Sequence, residues 1–163
     1  LQSPFPALAF DRHWNIQFAN SAVHALLDGV DADLLSPPVN ILRVTLSRRG
    51  LAPRIVNYQE WTGHLLLRLQ DQLHRTQDVR IAEMIEEARA QGVRAANAPS
   101  QTAPLILPLR LRVADSVLSL LSTTTVFGSA GEVSLSELTI ESFVPVDEQT
   151  AVSLESLHVR RKR

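Results

Sequence analysis

Histidine and glutamate side chains give the first test for chemistry in this sequence. Glu60 and His64 stand four residues apart, a spacing that places two side chains on the same face of a helix. A zinc site usually needs three or four ligands, and the sequence contains no HExxH motif. The pair therefore favours an ion pair on a helix surface over a metal site. We expect no metal and no cofactor.

Nucleophile and phosphate-loop motifs are also missing. The sequence has no GxSxG motif, and its glycines are dispersed instead of forming a Gly-rich loop. The run from Ser122 to Thr125 falls in a predicted strand, where threonine is simply a favoured residue. The absence of cysteine excludes disulfides, thiolate catalysis and a cysteine-based zinc site. We therefore predict no catalytic residues and no enzyme activity.

Two residues of a short predicted helix could bind a ligand instead. Arg43 stands among the apolar residues Leu42 and Val44, and an inward guanidinium could hold a carboxylate through two parallel hydrogen bonds. The alternative is an outward arginine on an amphipathic helix. Asn40 is first the N-cap of this helix and only second a candidate ligand contact.

The predicted sheet offers a further place for a ligand. We expect its inner face to combine apolar side chains with hydroxyls, namely Leu118, Leu120, Leu138 and Ile140 with Ser122, Thr124 and Ser142. An apolar lining with a few polar groups is typical of a small-molecule cavity. An ordinary core, with each hydroxyl bonded to nearby backbone, remains an equal alternative.

Hydrophobic periodicity predicts the elements that position these residues. The predicted strands cover residues 7–10, 16–18, 105–113, 117–127 and 135–144. The predicted helices cover residues 20–28, residues 40–50, a long stretch from Pro53, and residues 79–91. Residues 31–38, 95–104 and 128–132 are read as loops. This order predicts an α+β, PAS-like fold, with about five antiparallel strands and helices packed on one face.

Length and charge limit the domain organisation. A chain of 163 residues is long enough for one domain with its own core, and a net charge of −1 gives no attraction to nucleic acid. We assign residues 1–150 to the domain and residues 151–163, which end in RRKR, to a mobile basic tail. No apolar run approaches the roughly 18 residues of a membrane-spanning helix. Because the chain starts at Leu1 instead of Met, we expect that an upstream part has been removed.

Three segments carry a resemblance to a known family. They are PALAFDRHWNIQFAN near the start, NILRVTLSRRGLAPRIVNYQEWTGHLL in the middle and LSTTTVFGSAGEVSLSELTIESFVP near the end. In this order they resemble the C-terminal MmyB-like ligand-binding domain of bacterial XRE-type helix-turn-helix transcription regulators. The resemblance covers most of the chain.

The resemblance implies a cytoplasmic regulator with a PAS-like sensor domain. Such a domain is expected to bind a small hydrophobic molecule, with fatty acids among the ligands, between the sheet and the long helix. DNA would be bound only through an N-terminal helix-turn-helix domain, and the regulator would be a homodimer with no membrane contact. The ligand-binding residues carried over are Asn40, Arg43, Trp14, Phe18, Tyr58, Trp61 and Phe127. The alternative is a ligand-free dimerisation module, in which the apolar stripe from Trp61 to Leu73 packs against a second copy.

Overall fold

The computed structural model describes residues 5–95, 107–127 and 138–160. The strands are β1 (Ala7–Phe10), β2 (Ile16–Ala19), β3 (Leu109–Val113), β4 (Ser116–Phe127) and β5 (Leu138–Pro145). The α-helices are α1 (Ser21–Leu26), α2 (Ile41–Leu46), α3 (Tyr58–Thr76), α4 (Val79–Ala90) and α5 (Glu148–Arg160). Residues 1–4, 96–106, 128–137 and 161–163 lie outside the described residues, and they include most of two predicted loops, parts of two predicted strands (105–113 and 135–144) and the end of the predicted tail.

The chain divides into two compact units. The sheet unit comprises Leu1–Ile55 and Pro108–Arg163, and the helical unit comprises Val56–Leu107. In the sheet unit the strand order is β2-β1-β5-β4-β3, and every neighbouring pair is antiparallel. This arrangement confirms the predicted α+β, PAS-like fold with five antiparallel strands.

The strand register defines an inner face of the sheet. Residues paired directly across antiparallel strands point to the same side. The residues that share this side are Leu8 and Phe10 on β1, Leu109 and Leu111 on β3, Leu118 and Leu120 on β4, and Glu141 and Phe143 on β5. Leu118 lines a groove together with Val152 and Leu157 of α5, so α5 lies over this face. Helix α1 contacts both β1 and α5, which extends the helical cover of the sheet.

Two asparagines begin the short helices of the sheet unit. The side-chain oxygen of Asn20 accepts a hydrogen bond from the Val23 N–H at 3.1 Å and caps α1. The same oxygen accepts from the Ala7 N–H at 3.2 Å, and the Asn20 amide donates to the Phe5 carbonyl at 2.8 Å. The side chain of Asn40 caps α2 by accepting from the Arg43 N–H at 3.2 Å. The predicted cap at Asn40 is therefore confirmed.

The link between α2 and α3 differs from the prediction. Helix α2 already ends at Leu46, and a Cβ on Gly50 would collide with the Val44 carbonyl, so the chain needs glycine at this close approach. Pro53 lies in a 3₁₀ turn at Ala52–Arg54, and the long helix begins only at Tyr58. Ile55, which was predicted to lie on that helix, instead bridges to Leu111 of β3.

Helix α5 was not predicted. Residues 151–160, assigned to a mobile tail, continue a helix that starts at Glu148. The helix is anchored at its start, because the Thr150 hydroxyl accepts from the Ser119 N–H of β4 at 3.1 Å. Thr150 and Leu154 are both buried. This packing holds a helix whose own apolar pattern is weak.

The described part of the helical unit contains α3 and α4, which contact each other. Its buried side chains include Trp61, Leu65, Leu66 and Leu69 of α3 and Ile81, Met84, Ile85 and Ala88 of α4. Asp78 caps α4 by accepting from the Arg80 N–H at 2.9 Å, and Gly92 follows the helix with a φ of 83°. The apolar stripe of α3 is buried from Trp61 to Leu69, whereas Leu73 is only partly buried, and packing of this stripe against a second copy stays a prediction.

Candidate ligand-binding site

The inner face of the sheet changes from buried to exposed along β4. Leu118 and Leu120 are both 0% exposed, whereas Ser122 is only partly buried, Thr124 is exposed and Val126 is 59% exposed. All these side chains point to the same side because they alternate along one strand. Helix α5 covers the part of the face at Leu118. We call the part at Leu118 and Leu120 the covered end.

The other part of the face combines hydroxyls with a carboxylate. Across from Thr124 stands Glu141, and across from Val126 stands Thr139. We call Ser122, Thr124, Val126, Thr139 and Glu141 the open end. Glu141 is only 5% exposed, and the Ser122 hydroxyl donates a hydrogen bond to its carboxyl group. Such burial is costly without hydrogen bonds, so this partner is needed.

The prediction of the inner face was right for β4 and wrong for β5. Leu118, Leu120, Ser122 and Thr124 share one face as expected, but Leu138, Ile140 and Ser142 point to the opposite face. Polar Glu141 and Thr139 take their place. The strand register decides the side, because Glu141 pairs with Leu8 of β1 and with Thr124 of β4. The hydrogen bond from the Ser122 hydroxyl offsets part of the cost of burying this carboxyl group.

Asn40 and Trp14 lie close together at the turn between β1 and β2. The Asn40 amide donates to the His13 carbonyl at 2.8 Å and to the Asn15 side chain at 3.2 Å. The Ile41 N–H donates to the Trp14 carbonyl at 3.0 Å. The Trp14 ring is buried and stacks on Phe10 with 5.3 Å between the ring centroids. Both residues thus fix the turn against α2, and their contact with a ligand stays a prediction.

The remaining predicted ligand contacts are dispersed. Arg43 is exposed on α2, and Phe18 is 60% exposed on the outer face of the sheet beside Ala9. Tyr58 and Trp61 stand in the first turn of α3, where Trp61 is buried and its ring lies 6.1 Å from that of His64. The side chain of Phe127 lies outside the described part of the structure. Ligand binding by these residues also stays a prediction.

Two charged residues of importance were missed by sequence reasoning. One is Glu141, whose inward direction follows only from the strand register. The other is Arg54, whose guanidinium donates to the carbonyls of Arg112 at 3.0 Å, Leu26 at 2.9 Å and Asp28 at 3.1 Å. Burial lowers the pKa of Arg54 below its usual value. Arg54 therefore joins the end of α1 to the edge strand β3.

A groove beside α5 is a smaller candidate site. It has a volume of about 240 Å³ and lies between α5 and the turn that joins β3 to β4. Its walls include Asp115 and Ser116 of the turn and Ser153 and Ser156 of α5. Ligand pockets usually measure roughly 300–1,000 Å³. The groove is therefore small for a long apolar ligand, and the open end is the better candidate.

The fold and the open end together define a class of protein, a PAS-like domain that presents a mixed apolar and polar sheet face. The chain belongs to the family of MmyB-like transcription regulator ligand binding domains, whose model matches residues 1–157. The PAS domain of BvgS from Bordetella pertussis is similar with a TM-score of 0.39 and 15% identity, over 98% of this chain and 89% of that chain. No curated protein matches the sequence significantly.

Within residues 5–95, 107–127 and 138–160, no three His, Asp or Glu side chains are grouped so that they could hold a metal ion. None of the helices in this part of the chain is long and apolar enough to cross a membrane.

Proposed function

We propose that this domain senses a small hydrophobic molecule, with fatty acids as the first class to examine, and that the open end of the inner face contacts it. The family is a ligand-binding domain of transcription regulators. The observation that carries the proposal is the exposed inner-face pair Thr124 and Val126 beside the buried Glu141. Such a mixture of apolar and precisely placed polar groups suits a small-molecule site.

The ligand would act on DNA binding through a helix-turn-helix domain of the same regulator, in the cytoplasm. Occupancy would favour one of two arrangements of the regulator because the ligand binds that arrangement more tightly. The coupling is reciprocal, so operator DNA bound to the full regulator should change ligand affinity by the same factor. This reciprocity is measurable by titrating ligand with and without DNA.

Native mass spectrometry of the purified protein, followed by organic extraction, tests the proposal. We expect a stoichiometric adduct whose extract contains an apolar molecule. A clean mass, together with no thermal shift from fatty acids or aromatic acids, would overturn ligand sensing. A buffer-matched sample after delipidation serves as the reference for the unliganded mass.

Arg43 is proposed as the anchor of a carboxylate on the ligand. A bidentate arginine–carboxylate pair is a strong charge-assisted contact, so Arg43→Ala should weaken a fatty acid about tenfold or more in calorimetry. The melting temperature should change little, because the side chain is exposed and surface substitutions usually alter the free energy of unfolding by no more than about 0.5 kcal/mol. Arg48→Ala, a nearby exposed arginine, is the matched control. Unchanged affinity would remove Arg43 from the site.

A homodimer without ligand is the second candidate function. It is favoured by the outer face of the sheet, where the large apolar side chain of Phe18 is 60% exposed on the edge strand β2. Sedimentation of the protein distinguishes the two candidate functions. The ligand-free dimer is favoured if the protein sediments as a dimer, if added fatty acids do not change this, and if its native mass shows no bound molecule.

A further inference from the structure

We propose that the groove beside α5 is a second binding site, which takes a small primary amine that carries an apolar group. The groove lies within the sheet unit, between α5 and the turn that joins β3 to β4. Among the described residues, its lining shares Leu118 with the covered end and no residue with the open end. The groove is therefore separate from the proposed ligand site, and either site can exist without the other.

Asp115 gives the groove its charge. Among the described residues that line the groove, Asp115 alone has an ionisable side chain. The residue is exposed in the turn, and within the described part of the chain its carboxylate makes no hydrogen bond or ion pair. A carboxylate accepts hydrogen bonds and attracts cations, and an ammonium group supplies three donors and the opposite charge. The charge of the groove thus favours an amine over an acid.

Apolar side chains form much of the remaining lining. Val152 and Leu157 of α5 stand on one side, and Val113 of β3 stands on the other. Val152 is 55% exposed although its side chain is apolar, and Leu157 is only partly buried. An apolar group in the groove would remove such surface from water, which is favourable. The ligand should therefore carry an apolar group next to its amine.

The size and the hydroxyl groups of the groove limit the ligand further. Its volume is about 240 Å³. Since a water molecule occupies about 30 Å³, this is the volume of about eight waters and suits a molecule with a similar number of non-hydrogen atoms. Ser116 and Ser153 line the groove with hydroxyls, and Ser156 donates its own to the Val152 carbonyl at 2.9 Å. The oxygen of Ser156 still accepts, so it suits a ligand with donors.

The turn that carries Asp115 has a defined backbone geometry. Val113 pairs with Ser116 across the antiparallel strands, so the turn consists of two residues. The first of them, Ala114, has a φ of 48°, a left-handed conformation that is uncommon for alanine. Such conformations persist where the surrounding structure holds them, and they are found often at ligand sites. The pairing therefore holds one wall of the groove in place before a ligand binds.

Three probes that share one ring test the charge preference. They are benzylamine, benzyl alcohol and benzoate, titrated into the isotopically labelled domain and followed by NMR. We expect affinity to fall in that order, with benzylamine about fivefold tighter than the alcohol at low ionic strength, as an exposed ion pair provides. The ratio should fall toward one as salt is added. The shifted amides should lie in residues 113–116 and 152–157.

Variants then assign the preference to the groove. Asp115→Asn keeps a residue that suits turns but removes the charge, so the ratio of amine to alcohol should fall to near one. Glu155→Gln is the matched control, because Glu155 is an exposed carboxylate on the same helix and is not among the described lining residues. It should keep the ratio. Ser153→Leu fills the groove with a good helix former and should weaken benzylamine more than tenfold.

The outcomes separate the two proposals. Equal binding of benzylamine and benzyl alcohol, or an amine preference that survives in Asp115→Asn, would overturn the amine site. Shifts outside residues 113–116 and 152–157, or no binding of any of the three probes, would overturn it as well. The proposed ligand site at the open end would stand in each case, because fatty acids test it at other residues. Should Asp115→Asn fail to fold, the order of the probes and Ser153→Leu still decide.

Discussion

The covered end and the open end of the inner face are built from the same strands but differ in what lies over them. At the covered end, Leu118 and Leu120 are fully buried and α5 lies over Leu118. At the open end, the same alternation of β4 presents a serine, a threonine and an exposed valine. The first half of this strand thus contributes to the core, and its second half presents exposed side chains that we propose as the binding surface. Stability and ligand recognition should therefore respond to different substitutions.

The largest expected effect is on stability at the covered end. Leu120→Ala removes a fully buried side chain and should lower the free energy of unfolding by about 2–5 kcal/mol. Leu121→Ala, one residue further on and only partly buried on the outer face, is the control and should cost clearly less. Urea denaturation measures both. Equal losses would show that the two faces of β4 are not packed as described.

A smaller loss of stability is expected at the base of α1. Asn20→Ala removes a helix cap and two further backbone hydrogen bonds, which should cost about 2 kcal/mol. Asn20→Asp keeps the two acceptor bonds and loses the donor to Phe5, so it should cost less. Both variants should keep the affinity for any bound ligand. A change of affinity in the folded variants would mean that Asn20 belongs to the site.

At the open end the expected change is in affinity, with little change in stability. Thr124→Val replaces an exposed hydroxyl, so the free energy of unfolding should stay within about 0.5 kcal/mol. The affinity for a ligand identified by extraction should nevertheless change, because this residue stands directly across from Glu141. Thr123→Val on the outer face serves as the control. If both variants leave the affinity unchanged, the open end is not the binding surface.

The smallest expected effect is a pH dependence of the stability that Asp147 contributes at the start of α5, the helix that covers Leu118. Asp147 precedes α5, and the hydrogen bonds that it accepts from the backbone N–H and the hydroxyl of Thr150 lower its pKa below the usual value. A lowered pKa stabilises the fold above the ordinary aspartate pKa of about 3.9. This contribution disappears as the pH falls through the lowered value.

Asp147→Asn tests that dependence. The variant should melt below the wild type at neutral pH, and the difference between the two melting temperatures should shrink as the pH falls below about 4. Glu148→Gln, an exposed neighbour in the same turn, is the control for a general charge effect. A difference that stays constant down to acid pH would contradict the assigned role of Asp147.

The sequence predicted the elements best where a local signal suffices. The N-cap at Asn40, the end of α4 before Gly92 and the long stripe of α3 each depend on residues within a few positions. The five-stranded antiparallel sheet followed from alternating apolar residues. Such signals carry most of the fold because they are repeated along each element.

The remaining errors have a common cause in contacts between distant residues. Glu141 points inward because its strand is held between β1 and β4, and the alternation of β5 alone favours the reverse. Helix α5 depends on Thr150 meeting Ser119, a contact over 31 residues, while its own pattern resembles a polar tail. Ile55 was predicted to lie on the long helix but instead forms a β-bridge with Leu111. Information of this kind does not lie within one segment.

The most direct test of the central claim is an NMR titration of the isotopically labelled domain with the fatty acid decanoate. The account predicts that the largest backbone amide shifts fall on residues 122–126 and 139–141, with small shifts at Leu118 and Leu120. Shifts confined to the α5 groove around Ser153 and Ser156, or to the outer face around Phe18, would contradict it.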